Sequence, residues 1–293
     1  MIRVSGKEVA AKVRQEVQQA CARFIESTGN RPCLAVILVG DDPASATYVA
    51  SKGKACDQMG FLHRDYHLEA TISENELIKL ITALNEDIAV DGILVQLPLP
   101  SHVNEHKVLD TVSADKDVDG LHPTNMGKLI LGTPVFIPCT PGGILRLLDE
   151  YEIDTVGKQV VVVGRSNIVG KPIAALLMQK GRDATVTICH SRTADLAFHT
   201  RSADILIVAI GSPLAITASM VKEGAVVIDV GMNRISDTSR KRGYRLVGDV
   251  DFDQVAPKSY AITPVPGGVG PMTIAMLMKN TLHAAVLHHG RSS

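Results

Sequence analysis

Residues 159–172 read Gln-Val-Val-Val-Val-Gly-Arg-Ser-Asn-Ile-Val-Gly-Lys-Pro, a β-branched run that ends in a glycine turn. Such a run is typical of a buried parallel strand, and a helix opening after the turn would present backbone N–H groups to an anion. The match to the dinucleotide-binding pattern G-x-G-x-x-G is imperfect. Gly164 fits, Ser166 and Val169 occupy the second and third glycine positions, and Gly170 comes one residue late. The stretch is therefore a candidate site for the pyrophosphate of a dinucleotide. The imperfect glycine pattern does not establish that site by itself.

The segment after the next apolar run bears on the choice of cofactor. Residues 184–190 predict a strand that ends where an NAD-type fold places an acidic residue on the ribose 2′-hydroxyl. The chain continues instead with Ser191, Arg192 and Thr193. A carboxylate would repel a 2′-phosphate, whereas Arg192, the Ser191 hydroxyl and Arg165 would bind it, so these residues favour NADP over NAD. The alternative is that both arginines are solvated loop residues, as most surface arginines are.

Composition argues against several classes of partner. The 293 residues include 30 basic and 31 acidic side chains, a net charge of −1, which indicates neither a nucleic-acid partner nor an anionic membrane surface. No apolar run approaches the ~20 residues that span a bilayer, and the first residues lack the apolar core of a signal peptide. The five cysteines form no C-x-x-C pair, so we expect reduced thiols, no zinc site and a cytoplasmic location. A small-molecule ligand is the expected partner.

Helices and strands are expected to alternate along the first half of the chain. Apolar residues recur at every fourth position from Val9 to Cys21 and predict a helix over residues 6–28. Ser45 is the expected N-cap of a second helix that runs to about Met59. The other expected elements are strands at 33–40, 64–70 and 92–97 and a helix at 73–87. Such alternation implies a parallel sheet covered by helices.

A region rich in proline and glycine divides the chain. Four prolines and five glycines interrupt the pattern between residues 113 and 143, so we place a domain boundary near residues 139–141. A second series follows, with a helix at 144–151, strands at 159–163, 184–190, 203–210 and 225–230, and a final apolar helix at 274–287. The expected fold class is α/β, with two α/β domains at 1–139 and 140–271.

Three residues of the second helix could carry chemistry. Ser45, Tyr48 and Lys52 fall on one face at spacing i, i+3 and i+7. An aromatic group one turn from a lysine can desolvate its ammonium group and lower its pKa toward a value useful for proton transfer. More often such a tyrosine packs while the lysine extends to water, and spacing alone favours that interpretation.

Polar residues are also expected at the carboxyl edge of the first sheet, where open α/β sheets bind ligands. Gln96 could hydrogen-bond a reacting amine, and the Asp119 carboxylate could accept two hydrogen bonds from an amino-pyrimidine edge. Both residues equally suit ordinary loops and turns. The turn at 264–273 could bring backbone close to a ligand or serve only as a crossover between domains. His102 and His106 lack the H-E-x-x-H order and a third ligand, so we expect no metal site.

Taken together, five motifs resemble those of the bifunctional methylenetetrahydrofolate dehydrogenase/methenyltetrahydrofolate cyclohydrolase family. They are Ser45-x-x-Tyr48-x-x-x-Lys52, Asp91-Gly92-Ile93-Leu94-Val95-Gln96-Leu97-Pro98-Leu99-Pro100, Lys116-Asp117-Val118-Asp119-Gly120, Gly164-Arg165-Ser166-x-Ile168-Val169-Gly170-x-Pro172 and Pro264-x-Pro266-Gly267-Gly268-Val269-Gly270-Pro271-Met272-Thr273. The resemblance covers essentially the whole chain. It favours functional roles for Lys52, Gln96 and Asp119 over the plainer interpretations above.

The resemblance implies an N-terminal folate-binding catalytic domain completed by the C-terminal helix at 272–293, a Rossmann-like NADP-binding domain, and a cleft between them. It also implies two reactions: NADP-dependent oxidation of 5,10-methylenetetrahydrofolate to the methenyl cation, then hydrolysis to 10-formyltetrahydrofolate. In such an enzyme Lys52 would move the proton and Gln96 would tune its charge. Tyr48 would stack against the folate, and Asp119 would hold the pterin ring.

The same resemblance implies further binding residues and an assembly. Backbone of the Pro264, Gly267 and Gly268 turn would position the folate, and a homodimer would form through the nucleotide-binding domains. The cofactor residues would be Gly164, Arg165, Ser166, Ile168, Gly170, Ser191, Arg192 and Thr193. Two alternatives stay open at this point, a dehydrogenase with a single activity on another small metabolite and a non-catalytic nucleotide sensor.

Overall fold

A computed structural model describes residues 1–240 and 243–290 of the chain, which forms two compact units. The first, here the six-stranded unit, comprises Met1–Ala10 and Thr140–Thr273. The second, here the three-stranded unit, comprises Ala11–Cys139 and the chain from Ile274 onward. Each contains a parallel sheet with helices, as the α/β fold class predicts. None of the described helices has both the length and the apolar character needed to cross a membrane.

The elements of the first half are β1 (Ile2–Arg3), α1 (Gly6–Thr28), β2 (Cys33–Val39), α2 (Pro43–Met59), β3 (Leu62–Leu68), α3 (Glu74–Glu86), β4 (Gly92–Val95), α4 (Glu105–Thr111), α5 (Pro123–Ile130) and α6 (Cys139–Glu150). Those of the second half are β5 (Gln159–Val163), α7 (Gly170–Leu177), β6 (Thr185–Cys189), α8 (Leu196–Arg201), β7 (Ile205–Val208), β8 (Val226–Asp229), β9 (Asn233–Ser236), β10 (Tyr244–Val247), α9 (Phe252–Val255), β11 (Ala261–Ile262) and α10 (Val269–His289), with 3-10 turns at Ala218–Met220 and Ala256–Lys258.

The three-stranded sheet has the order β3-β2-β4, with all pairs parallel. All seven residues of the central strand β2 are buried, which explains its unbroken apolar sequence. Helix α3 covers the sheet with Leu77, Ile81 and Leu84, which share one face at helical spacing. Ser73 caps that helix in a capping box with Glu76.

Helix α2 begins three residues earlier than the sequence predicted. Asp42, and not Ser45, is its N-cap, because the Asp42 carboxylate accepts the Ser45 N–H at 2.7 Å. Pro43 then occupies the first turn, where its missing N–H leaves no donor unsatisfied. Ser45 is consequently a buried residue of the first turn. The helical phase that places Ser45, Tyr48 and Lys52 on one face is unaffected.

The six-stranded sheet has the order β1-β11-β8-β7-β5-β6 and is parallel throughout. Strand β5 carries the Val160–Val163 run, and all four of these residues are buried between β6 and β7. Strand β9 pairs antiparallel with β10 in a separate two-stranded sheet.

Two details differ from the expected domain division. Residues 1–10 belong to the six-stranded unit, because β1 pairs with β11 and Val4 N donates to Ile262 O at 2.9 Å. The region expected as a linker contains helix α5, whose Pro123 stands in the first turn, a position that tolerates proline.

Most of α10 belongs to the three-stranded unit, where His288 and His289 contact the buried Asp91 carboxylate at 3.2 and 3.1 Å.

Candidate active site

Lys52 lies inside the three-stranded unit and does not extend to water. Its side chain is 8% exposed, and Nζ donates to Gln96 Oε1 at 2.8 Å. Gln96 follows β4 and continues the ladder, because its N–H donates to Ile37 O at 2.8 Å. The Gln96 amide N–H donates in turn to Leu97 O at 2.6 Å, which leaves Oε1 directed at the lysine. The interpretation of Lys52 as a solvated surface lysine is therefore wrong.

Asp119 is the carboxylate that acts electrostatically on Lys52. Its loop is fixed beside β4 by the Ile93 N–H, which donates to Lys116 O at 2.8 Å. Within the loop the buried Asp117 carboxylate accepts the His122 N–H and the Asn125 amide, both at 2.8 Å. Asp117 is thus a structural residue that the sequence analysis did not distinguish from its neighbour. Asp119 is partly exposed and remains available to a ligand.

Burial sets the ionisation of this cluster. Desolvation lowers the pKa of Lys52 below its ordinary value, and the nearby Asp119 carboxylate opposes that shift. Desolvation likewise raises the pKa of Asp119, and Lys52 opposes it. The environment therefore makes the neutral amine of Lys52 more accessible near neutral pH than it is for a lysine in water.

Cys139 and Asn280 are cluster residues that the sequence analysis missed. The Asn280 amide donates to Val118 O at 2.8 Å and to Ile137 O at 2.9 Å, which joins the Asp119 loop to the start of α6. Burial raises the pKa of the Cys139 thiol well above its usual value, and that thiol donates to Val118 O at 3.5 Å. The sequence did contain a signal for Asn280, which is an asparagine in a helix that is apolar nearly all round. A buried amide requires hydrogen-bond partners, so such a residue marks a contact with another segment.

Tyr48 stands one turn before Lys52 on α2 and is 39% exposed. The side chain is therefore only partly buried. The structure thus brings together Lys52, Gln96 and Asp119 in one cluster, with Tyr48 at its side on the same helix.

A second group of candidate residues lies at the carboxyl edge of the six-stranded sheet. Strands β5 and β6 are neighbours, and Gly164 N donates to Cys189 O at 2.8 Å, so the turns after both strands start side by side. Gly164 has φ 128°, and a Cβ there would overlap the Ala209 carbonyl, so this turn requires glycine. Arg165, Ser166 and Ile168 are exposed on the first turn, and Ser191 and Arg192 are exposed on the second.

Some hydroxyls of this edge are engaged within the turns. Ser166 Oγ accepts the Val169 N–H at 3.1 Å and shapes the entry to α7 at Gly170. Thr193 Oγ1 accepts the His190 N–H at 2.9 Å, so Thr193 orders the loop that presents Ser191 and Arg192. The arginines at 165 and 192 carry the cationic charge of the two turns.

The Pro264–Gly268 turn follows β11 in the six-stranded unit. Gly267 O accepts the Lys7 N–H at 3.0 Å, and a Cβ at 268 would lie 2.5 Å from Pro264 O. A Cβ at Gly6 would overlap the Gly268 carbonyl. Packing against the start of α1 therefore accounts for the small residues here, and a role of the turn in folate binding stays a prediction.

Family models match both halves of the chain. The tetrahydrofolate dehydrogenase/cyclohydrolase catalytic domain matches residues 4–119, and the NAD(P)-binding domain of the same enzymes matches residues 138–289. The chain belongs to the tetrahydrofolate dehydrogenase/cyclohydrolase family. The predicted family and fold class are thereby confirmed, and the cluster around Lys52 lies in the unit that carries most of the catalytic-domain match.

Relatives of this tetrahydrofolate dehydrogenase/cyclohydrolase extend over its length. Bifunctional protein FolD of Campylobacter hominis is 57% identical over 96% of this chain and 96% of the relative, and that of Bacteroides fragilis strain YCH46 is 54% identical over 97% and 98%. The crystal structure of the bifunctional FolD enzyme of Campylobacter jejuni has a TM-score of 0.92 and 51% identity, covering 97% of this chain and 98% of its own. The Trypanosoma brucei enzyme complexed with NADP and an inhibitor has a TM-score of 0.93 and 40% identity, covering 97% of both chains.

These similarities support the bifunctional enzyme and neither of the two alternatives. A dehydrogenase of an unrelated metabolite would share the nucleotide-binding half but would not need the catalytic-domain match. A sensor without catalysis would not need a buried lysine bonded to Gln96.

Proposed function

We propose that this chain oxidises 5,10-methylenetetrahydrofolate with NADP and then hydrolyses the methenyl product to 10-formyltetrahydrofolate. The observation that carries the proposal is the buried Lys52 Nζ, 2.8 Å from Gln96 Oε1 and within the electrostatic influence of Asp119. The FolD relatives, which share more than half of the chain's residues, support it. Two assays test it: NADPH formation from methylenetetrahydrofolate, and loss of methenyl absorbance without cofactor. Absence of both activities would overturn it.

In the hydrolytic step Lys52 accepts a proton from the attacking water molecule. The neutral amine takes a proton as the water oxygen bonds to the methenyl carbon, and the resulting ammonium donates to Gln96 Oε1. The hydroxyl on that carbon then loses its proton to solvent and becomes the formyl C=O, while a ring C–N bond breaks and its nitrogen takes the proton held by Lys52, which leaves the formyl group on the other nitrogen. One proton is released overall. A pKa lowered by burial suits Lys52 to both directions of this transfer.

The oxidative step requires positioning more than acid–base chemistry. Loss of hydride from a carbon between two nitrogens leaves a cation that those nitrogens stabilise, so correct placement supplies most of the catalysis. The Asp119 carboxylate would accept hydrogen bonds from the amino-pyrimidine edge, and the partly exposed Tyr48 would stack on the folate. Backbone of Pro264, Gly267 and Gly268 would complete the placement.

The turns after β5 and β6, at the carboxyl edge of the six-stranded sheet, carry residues suited to binding NADP. When bound, the cofactor accepts the hydride. The N-terminus of α7, entered through Gly164, Ser166 and Gly170, would hold the pyrophosphate, with Ile168 beside it. Arg165, Ser191 and Arg192 are exposed after two adjacent strands, and Thr193 orders their loop, so these residues would bind the 2′-phosphate.

Gln96→Glu tests the tuning of Lys52. A carboxylate in place of the amide, whose oxygen lies 2.8 Å from Nζ, favours the ammonium and raises the lysine pKa. Fewer molecules then hold a neutral amine at pH 7. We expect cyclohydrolase activity to fall about tenfold or more at pH 7 and its pH profile to move to higher pH. Gln58→Glu, an exposed change on the same helix, is the matched control, and an unmoved profile would contradict the role of Gln96.

The enzyme is also proposed to be a cytoplasmic homodimer formed through its nucleotide-binding units, without nucleic-acid or membrane partners. Strand β6 ends the six-stranded sheet, and Ile188 on it is 41% exposed, so a symmetry mate would cover this edge. We expect a mass near twice 31.3 kDa by light scattering at micromolar concentration. Ile188→Lys should give a monomer, whereas Ile130→Lys, in the other unit, should leave the dimer intact. A monomeric unmodified chain would refute this assembly.

A further inference from the structure

Two carboxylates are buried together at the carboxyl end of the six-stranded sheet. Asp229 is the last residue of β8 and is 3% exposed, and Asp249, which follows β10, is 0% exposed. Among residues 1–240 and 243–290 neither forms an ion pair, and both are held by N–H donors. Burying a carboxylate costs free energy unless hydrogen-bond donors satisfy it. Two buried carboxylates that are each held by several N–H donors indicate that the fold requires them at these positions.

Asp249 fixes the segment that follows β7. Its Oδ2 accepts the N–H groups of Ile210 and Gly211 at 2.8 and 3.0 Å, and its Oδ1 accepts the Asn233 amide at 2.8 Å. The preceding residue, Ala209, places its carbonyl against Gly164, the first glycine of the nucleotide turn. Asp249 therefore determines where the backbone that borders this turn lies.

Asp229 fixes Asp249 in turn. Its carboxylate accepts the N–H groups of Gly231, Asp249 and Val250, each at 3.0 Å. Burial raises the pKa of Asp229 to about 6, and the backbone donors oppose that shift, so the group accepts these bonds as a carboxylate at pH 7. A Cβ at Gly248 would overlap this carboxylate, so the close approach requires glycine there.

We propose that Asp249 is a positioning residue for the dinucleotide: it holds residues 209–211 against the Gly164 turn, and Asp229 supports it from β8. The inference rests on the proposed function, because it takes that turn to be the NADP site. Two backbone N–H groups bound to one carboxylate oxygen preorganise the segment, so no binding energy is needed to order it. Without the negative charge both N–H groups lose a charge-assisted acceptor, and the border of the site relaxes.

Asp249→Asn tests the proposal, because the amide keeps the shape of the side chain and removes the charge. We expect the dissociation constant of NADPH, measured by its fluorescence, and the KM for NADP to rise about tenfold or more. The dehydrogenase kcat at saturating NADP and the cofactor-free cyclohydrolase rate should change less than about twofold, a split that general destabilisation would not give. Asp253→Asn, an exposed change on α9, is the matched control.

Asn233→Ala provides a second variant should the first fail to fold. It removes one amide donor, keeps the charge and leaves both backbone bonds of Asp249, so we expect a smaller increase of about threefold in the same dissociation constant. Unchanged NADPH binding in a folded variant, or equal losses in both activities, would overturn the positioning role. Because NADPH binding is measured directly, this result is distinct from failure of the proposed function, which would appear as absent activity in the unmodified enzyme.

Discussion

Replacing Lys52 by methionine will slow the cyclohydrolase reaction by about 10²- to 10⁴-fold, the contribution typical of a positioned proton-transfer group. Methionine approximates the length of the buried lysine stem, so the helix and its packing should persist. What disappears is the amine that donates to Gln96 Oε1 and that we propose accepts the proton of water. NADPH binding should be nearly unchanged, because the residues proposed to hold the cofactor lie in the six-stranded unit.

The measurement is the loss of methenyl absorbance without cofactor, compared with NADPH fluorescence on the same preparation. Lys54→Met is the matched control, because Lys54 is an exposed lysine two residues along the same helix. It should hydrolyse the substrate as the unmodified enzyme does. Hydrolysis at the unmodified rate by Lys52→Met would remove the lysine from the mechanism.

The second large effect is expected at the cofactor. Each charge-assisted hydrogen bond to the 2′-phosphate contributes about 1.5–3 kcal/mol, so Arg165→Ala or Arg192→Ala should raise the KM for NADP by roughly tenfold to a hundredfold. NAD lacks that phosphate, so its KM should change little. Both arginines are exposed at the ends of adjacent strands, and their replacement should not disturb the sheet.

Steady-state kinetics with each cofactor separate the possibilities. Arg201→Ala, an exposed arginine on α8 of the same unit, controls for loss of positive charge in general. If NADP and NAD weaken to the same extent in both variants, the arginines act on the fold of the turns and the preference for NADP has another source.

Much of the fold was accessible from local sequence because its signals are local. Helical spacing predicted α1 over Gly6–Thr28 as observed, and the valine run predicted β5 at its observed bounds. Where two local signals competed, the prediction failed: Ser45 is a good N-cap residue, but Asp42 followed by Pro43 is a better start. The pairing of β1 with β11 places the first ten residues in the six-stranded unit. It joins segments about 260 residues apart, so no local sequence pattern predicts it.

For the site, the sequence by itself determined which residue types stand at the ends of strands and on one face of α2, and the five motifs together determined the family. It did not determine whether Lys52 is solvated, since spacing favoured a surface lysine, and it did not separate Asp117 from Asp119. Tertiary structure decided these points. Burial, the 2.8 Å bond to Gln96 and the anchoring of the Asp119 loop by Asn280 arise between segments distant in the chain. Desolvation and hydrogen-bond partners are properties of the packed interior, and only the packed chain specifies them.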